Sequence, residues 1–332
     1  MDLKSKRKHL SGKKKLGKVS SSKKNPFLLD SKKTLVLNSK KILKKKSIAN
    51  TSFIGDGFDL LFGLIYLARK HKNLSIPISF THNYGIKRNE IIDIMDAGLR
   101  FDCTINENKQ KLYYPINIKD FYGLIKKSRK RFHAIFIYIK WNCRNNAAHF
   151  NMLVFDKLLK TVERFEPYTK LNNTKSTIVV NNFDKKLEKD IKKYLNYEYL
   201  NPNQFCPIVG FQQKEENNLL YSNNNIDILK GKTSGSVQKK TDPGGFCGAW
   251  SLYFLDLKLT FPNYKTSIIM DKAFKALEND KHSFRSFIRN YSNFIVNKRS
   301  KLLKQYNYTS NTSESNSYSL LQNKFTELIK RK

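Results

Sequence analysis

The chain has 332 residues, 39% of them hydrophobic and 13% aromatic, which is enough to fill a real core and excludes a wholly disordered protein. Its 63 Lys and Arg stand against 27 acidic residues, and the formal net charge of +36 attracts polyanions: nucleic acid, acidic proteins or an anionic membrane surface. The apolar run at residues 60–68 is bracketed by Asp59 and Arg69 and is too short to span a bilayer, and the lysine-rich start is followed by no apolar run of the kind a secretory signal needs. Four cysteines, at 103, 143, 206 and 247, include no close pair, so reduced thiols in a cytosol-like compartment are expected.

Residues 1–50 are a composition block of their own, with 17 Lys/Arg against Asp2 and Asp30, a net +15. So few aromatics and so much like charge cannot bury enough surface to fold alone, and the expectation is a disordered basic arm whose lysines, Lys4 to Lys46, make non-specific contact with nucleic acid. A solubilising tail is the competing reading. From residue 51 the pattern becomes that of a folded domain. Phe58, Leu60, Leu61, Leu64 and Ile65 have helical spacing, and further helices are predicted over Asn89–Leu99 and Lys119–Arg131. The period then changes. Ala134–Ile139 is continuous, apolar and β-branched, as a buried strand is, and His149–Phe155 and Val162–Tyr168 read as two more strands joined by a turn at Asp156–Lys160.

Helical spacing returns over Asp184–Leu195. The polar segment 217–240 reads as an insertion, Asp242-Pro-Gly-Gly as a turn, and a helix is predicted to open near Cys247. Helices over about 264–279 and 282–305 follow, and 306–332 reads as a C-terminal tail. The fold class expected is α+β: a mixed, largely antiparallel sheet from the 110–170 region, packed against helices, with the nucleophile at a helix N-terminus.

Three sets of residues could carry chemistry. Cys247 lies in Gly244-Gly-Phe-Cys-Gly-Ala-Trp250, a glycine-rich turn leading into a helix, where unpaired backbone N–H groups and the helix dipole favour a thiolate and can bind an oxyanion. A buried structural thiol is the alternative. His149 starts a strand, and Glu166, 17 residues later, falls on the next; pairing through the intervening turn would let Glu166 hold one ring nitrogen while the other faces the thiol. Glu163 is the competing carboxylate, an odd number of residues away and so on the other face of a regular strand. Gln212 and Gln213 offer side-chain amides to an oxyanion.

With His149, Arg164-Phe-Glu-Pro167, Gly210-Phe-Gln-Gln213 and Gly245-Phe-Cys-Gly-Ala-Trp-Ser251, the chain resembles the superfamily of SUMO/ubiquitin-like-protein proteases and adenovirus-type proteinases, in the version carried by large DNA viruses. The resemblance covers residues 135–260 or so. It implies Cys247 as nucleophile, His149 as base, Glu166 as the residue that orients it, Gln212 or Gln213 at the oxyanion, and no cofactor. Two departures stand out: Phe150 occupies a place where the family usually has Trp, and Gln212 and Gln213 precede Cys247 by 35 and 34 residues where a few are usual. Gln238, nine residues ahead of Cys247, is therefore a third oxyanion candidate.

The activity implied is that of a cysteine endopeptidase acting on virus structural polyproteins during virion maturation, in the virion or the host cytoplasm. Removal of a ubiquitin-like modifier, or an inactive nucleic-acid-associated virion protein, are the alternatives. The basic arm gives a direct test. Deleting residues 1–50 should leave hydrolysis of a small peptide unchanged while weakening DNA or RNA binding with a shallower salt dependence, because fewer counterions are released; equal salt slopes for the two chains would remove the arm from nucleic-acid contact.

Overall fold

The computed structural model describes residues 53, 55, 57–77, 98–103, 110–141, 148–168, 174–216, 243, 245–279 and 283–307. The basic arm, the 217–240 insertion with Gln238, and the tail from 308 onward lie outside the described residues, as does all but the end of the segment 89–99. In chain order the elements are α1 (Gly57–Lys70), β1 (Leu74–Ser75), β2 (Leu99–Cys103), β3 (Gln110–Tyr113), α2 (Ile118–Lys127), β4 (Phe132–Trp141), β5 (Ala148–Asp156), β6 (Thr161–Phe165), α3 (Thr174–Leu195), β7 (Glu198–Leu200), α4 (Cys247–Thr260), α5 (Thr266–Glu278) and α6 (Phe284–Lys304). Residues 211–216 add a helical segment between β7 and α4.

One mixed sheet runs β3-β2-β4-β5-β6-β7, with β1 also on β4. Its longest pairing, β4 with β5, is antiparallel, as are β5–β6 and β2–β3, whereas β1 and β2 pair with β4, and β7 with β6, in parallel. The α+β expectation holds, but the sheet also draws on β1, β2 and β7, which lie outside the 110–170 region. Three boundaries differ from those expected. Leu99, placed in a helix by its spacing, begins β2; α2 stops at Lys127, where Ser128 turns extended and its N–H caps the carbonyl of Leu124. β6 ends at Phe165, so Glu166 stands just past the strand.

The period-2 alternation of β4 and β5 explains why both read as continuous apolar runs, because the sheet is covered on both faces. Ala134, Phe136, Tyr138, Phe150, Met152 and Val154 join a core built with α1, α4, α5 and α6. Ile135, Ile137, Ile139, Leu153 and Phe155 join a second core with α2 and α3. Helix α4 lies inside the first of these cores and is buried on nearly every side. Its close approach to α1 depends on two glycines: a Cβ on Gly248 would meet Leu60 Cδ2 at 2.4 Å, and one on Gly63 would meet Leu252 Cδ1 at 2.3 Å.

Gly210 has a different task. A Cβ there would lie 2.5 Å from the Pro167 carbonyl oxygen and 2.6 Å from the Tyr168 backbone, so only glycine lets the 211–216 helix dock on the chain just after Glu166. The Gln212 N–H then bonds the Pro167 carbonyl at 3.0 Å. By contrast, a Cβ added at Gly123, inside α2, would meet nothing within 4 Å. Gly210→Ala should therefore destabilise the fold by about 1–3 kcal/mol, whereas Gly123→Ala should stabilise it by about 0.5–1 kcal/mol through its better helix propensity. Urea unfolding of the two variants checks both signs.

Candidate active site

Cys247 is the first residue of α4, and its preceding cap residue, Phe246, supplies no side-chain acceptor. A helix leaves its first N–H groups without intrahelical partners, so the start of α4 presents donors beside the thiol. The position of this end is set from below. Trp250 Nε1 donates to Glu215 Oε2 at 2.8 Å, and Glu215 Oε1 is ion-paired with Arg285 on α6 at 2.8 Å. Ser251 Oγ, one turn beyond the cysteine, donates to the Phe150 carbonyl at 3.4 Å, which ties the cysteine helix to the strand of His149.

The β5–β6 register pairs Met152 with Phe165, so the next pair along the ladder direction is Asn151 with Glu166. His149 lies two residues further out on β5, which brings its ring diagonally alongside the Glu166 carboxylate. His149 Nε2 and Glu166 Oε1 are 2.6 Å apart. Three further groups hold that carboxylate: the Tyr168 N–H donates to Oε1 at 2.8 Å, Asn151 Nδ2 to Oε2 at 3.0 Å, and the Arg164 guanidinium lies 3.8 Å from Oε2. Arg164, 1% exposed, also donates to Asn151 Oδ1 and forks onto Asp184 through Nε at 2.8 Å and Nη2 at 2.9 Å. Glu166 is thus fixed from behind by a buried polar cluster that sequence spacing alone did not reveal; its one visible signal is an Arg and an Asn alternating with apolar residues in strands otherwise made for a core.

Burial would lower the His149 pKa, but the Glu166 charge, a hydrogen bond with the Cys247 side chain and the bond to Glu166 outweigh it and raise the ring well above its ordinary value. With Nε2 on Glu166, Nδ1 is the nitrogen left for the thiol. Burial would raise Glu166, but the facing His149 charge and hydrogen bond, then Arg164 and the Tyr168 N–H, hold it below the usual carboxylate value. Glu163 points elsewhere. Its carboxylate accepts from Lys258 Nζ at 2.8 Å and from Thr266 Oγ1, joining α4 and α5 to β6. Cys206 is also a free thiol, and burial pushes it up to about 12.

The two adjacent glutamines have different places. Gln212 Nε2 lies 2.9 Å from where a Gly245 Cβ would stand, two residues ahead of Cys247, and donates to Glu216 Oε1 at 3.0 Å. One of its two N–H donors remains. Gln213 is only partly buried, with its Oε1 lacking a hydrogen-bond partner. Tyr168 joins the two sides of the site, since its N–H binds Glu166 and its hydroxyl bonds Glu216; burial, then the Glu216 bond, pushes that phenol up to about 12. Among the described residues no group of His, Cys, Asp and Glu could hold a metal ion.

No protein-family model matches the chain. Among curated proteins it is similar to the putative ankyrin repeat protein L371 of Acanthamoeba polyphaga mimivirus, 29% identical over 282 residues, a match covering 80% of this chain and 34% of the relative. The chain therefore spans about a third of that relative's length. Among solved structures it is similar to the Chlamydia trachomatis effector protein Cdu1 bound to ubiquitin, at TM-score 0.34 and 12% identity over 77% of this chain and 95% of that one. A second is the Chlamydia trachomatis effector ChlaDUB1, at TM-score 0.34 and 12% identity over 83% and 92%.

The charge pair makes a signed pH prediction. The raised His149 contributes stability that is fully present below its ordinary 6.5 and is lost as pH rises through the raised value. The depressed Glu166 contributes stability that is fully present above its ordinary 4.5 and is lost as pH falls through the lowered value. Glu166→Gln removes the charge that most raises the ring and leaves burial opposed by Cys247. In an NMR titration the His149 ring should then titrate lower than in the wild type; an unchanged midpoint would detach the two residues.

Proposed function

We propose that the chain is a cysteine-type peptidase that cuts an amide bond through a thioester on Cys247. The observation that carries this reading is the convergence of the α4 N-terminus, the His149 ring and a Glu166 carboxylate held by Tyr168, Asn151 and Arg164. The thiol proton passes to His149 Nδ1, and the sulfur attacks the substrate carbonyl carbon. The oxygen that becomes negative takes N–H bonds from the first turn of α4 and from the remaining donor of Gln212. His149 then gives its proton to the departing amine, leaving a thioester. Water, deprotonated by the same ring, attacks that carbonyl and frees the acid and the thiol. Glu166 keeps the ring oriented and stabilises its positive charge throughout.

Two substrate classes offer such a bond: a ubiquitin-like modifier joined to a lysine, and a virus structural polyprotein. Purified chain, wild type and Cys247→Ala, should be incubated with ubiquitin and SUMO conjugates and with candidate virion proteins, with the fragments read by mass. Cleavage is expected in one set, and Cys247→Ala should lose it along with labelling by a thiol-directed probe. Cys103, Cys143 and Cys206 should each be replaceable with activity retained, and His149→Ala should cost on the order of 10²–10⁴-fold in kcat/KM, the usual worth of a positioned general base. Full cleavage by Cys247→Ala would end the proposal.

A further inference from the structure

The end of the sheet remote from Cys247 carries a surface that peptide hydrolysis does not use. The β5–β6 turn reads Lys157-Leu-Leu-Lys160, and Leu158 and Leu159 are 68% and 55% exposed. Turn tips ordinarily take Gly, Asn, Asp or Ser, and adjacent leucines facing water are costly there. The same end holds a third exposed leucine, Leu124 at 39%, on the last turns of α2. Lys157 Nζ joins the two elements by donating to the carbonyls of Lys126, at 2.9 Å, and Ser128. Lys126, Lys127, Arg129, Lys130 and Lys160 are exposed around the leucines. Of the nearby acids, Asp156 is buried and paired with Arg131 at 2.8 Å, while Glu198, whose N–H bonds the Lys160 carbonyl, is exposed at the rim.

Nucleic acid would account for the cations but offers nothing to the leucines. A grooved protein partner would take the leucines, yet this patch is a projecting turn, with its apolar groups at the tip and its charges set around it. That shape suits a soft anionic layer, in which leucines enter the acyl boundary and ammonium groups meet headgroup phosphates. We propose that the Leu158-Leu159 turn, with Leu124 and the surrounding lysines, docks the protein peripherally on an anionic lipid surface. Among the described residues no helix is long and apolar enough to cross a membrane, so the contact is superficial. The turn stands more than ~20 Å along β5 from His149 at the usual rise per strand residue, and the site stays clear of the bilayer.

The test uses the full chain and vesicles of phosphatidylcholine alone or with roughly one third phosphatidylserine. Wild type should sediment with the anionic vesicles only. Leu158→Ser with Leu159→Ser should weaken that partition by about tenfold or more, from the lost apolar burial, with duplex DNA binding unchanged. Circular dichroism reports whether this pair folds. A separate Leu158→Trp variant should show a blue-shifted emission on anionic vesicles and none with DNA. Partition that the serine pair leaves intact would show attraction by charge alone and overturn the proposal, as would a Leu158→Trp emission that stays aqueous while the protein sediments. Equal loss of DNA and vesicle binding in a folded serine pair would make the turn a nucleic-acid contact and overturn it too.

Discussion

Helix α4 is apolar on nearly every face, and burying it from all sides is the constraint on which the rest of the structure depends. The sheet covers one side through β5, and α1, α5 and α6 cover the others. The approach to α1 is close enough that Gly248 and Gly63 each receive a leucine from the opposite helix. A helix enclosed in this way has little freedom to slide or rotate. Its N-terminus is delivered to the end of β5 where His149 begins, and the Ser251 bond to the Phe150 carbonyl pins that distance. The geometry of the thiol and imidazole is therefore a consequence of core packing.

Enclosure also brings charged groups into the interior, and several of them are paired. Lys258, on α4 itself, meets Glu163 and Thr266; Glu215 meets Trp250 and Arg285; Arg164 meets Asp184, Asn151 and the Tyr199 hydroxyl. Buried pairs of this kind return little net stability once desolvation is counted, but losing one partner leaves an uncompensated charge. Their contribution here is to registration: Glu163 fixes β6 against α4 and α5, while Arg164, the next residue and on the other face, fixes it against α3. Glu166 follows directly, and its orientation toward His149 inherits both restraints.

The two ends of β5 and β6 have opposite characters. At one end, a strand start, a strand exit and a helix N-terminus converge, with Gly210 letting backbone approach backbone and Gly245 admitting the Gln212 side chain. At the other, the tight turn after Asp156 is closed by the N–H groups of Leu158 and Leu159 on its carboxylate, with Lys160 in the left-handed region at φ 53°. That closure projects two leucines into solvent. A rigid ladder between the ends means that chemistry at one and contact at the other need not interfere.

Much of this was legible in the linear chain. The strands at 134–139 and 149–155 announced themselves because a sheet covered on both faces needs continuous apolar residues, and the hairpin between β5 and β6 followed from the turn at 156–160. Parity separated Glu166 from Glu163, since strand side chains alternate whatever the strands pack against. The glycine-flanked Cys247 marked a helix start for local reasons. What lay beyond the sequence was everything decided by contacts between distant segments. Leu99 entered a strand because β4 offered an edge for parallel pairing, which no local period encodes. Gln212 was separated from Gln213 only by the docking of Gly210 on Pro167 and Tyr168, and Arg164 acquired its place behind Glu166 from Asp184 on α3. The sequence by itself determined which residue types recur at which period, and hence the strands, the hairpin and the candidates for chemistry. Tertiary structure decided which candidates meet, because hydrogen bonds and ion pairs are chosen by three-dimensional proximity, and that is set by how the buried faces of α4 and the sheet close on one another.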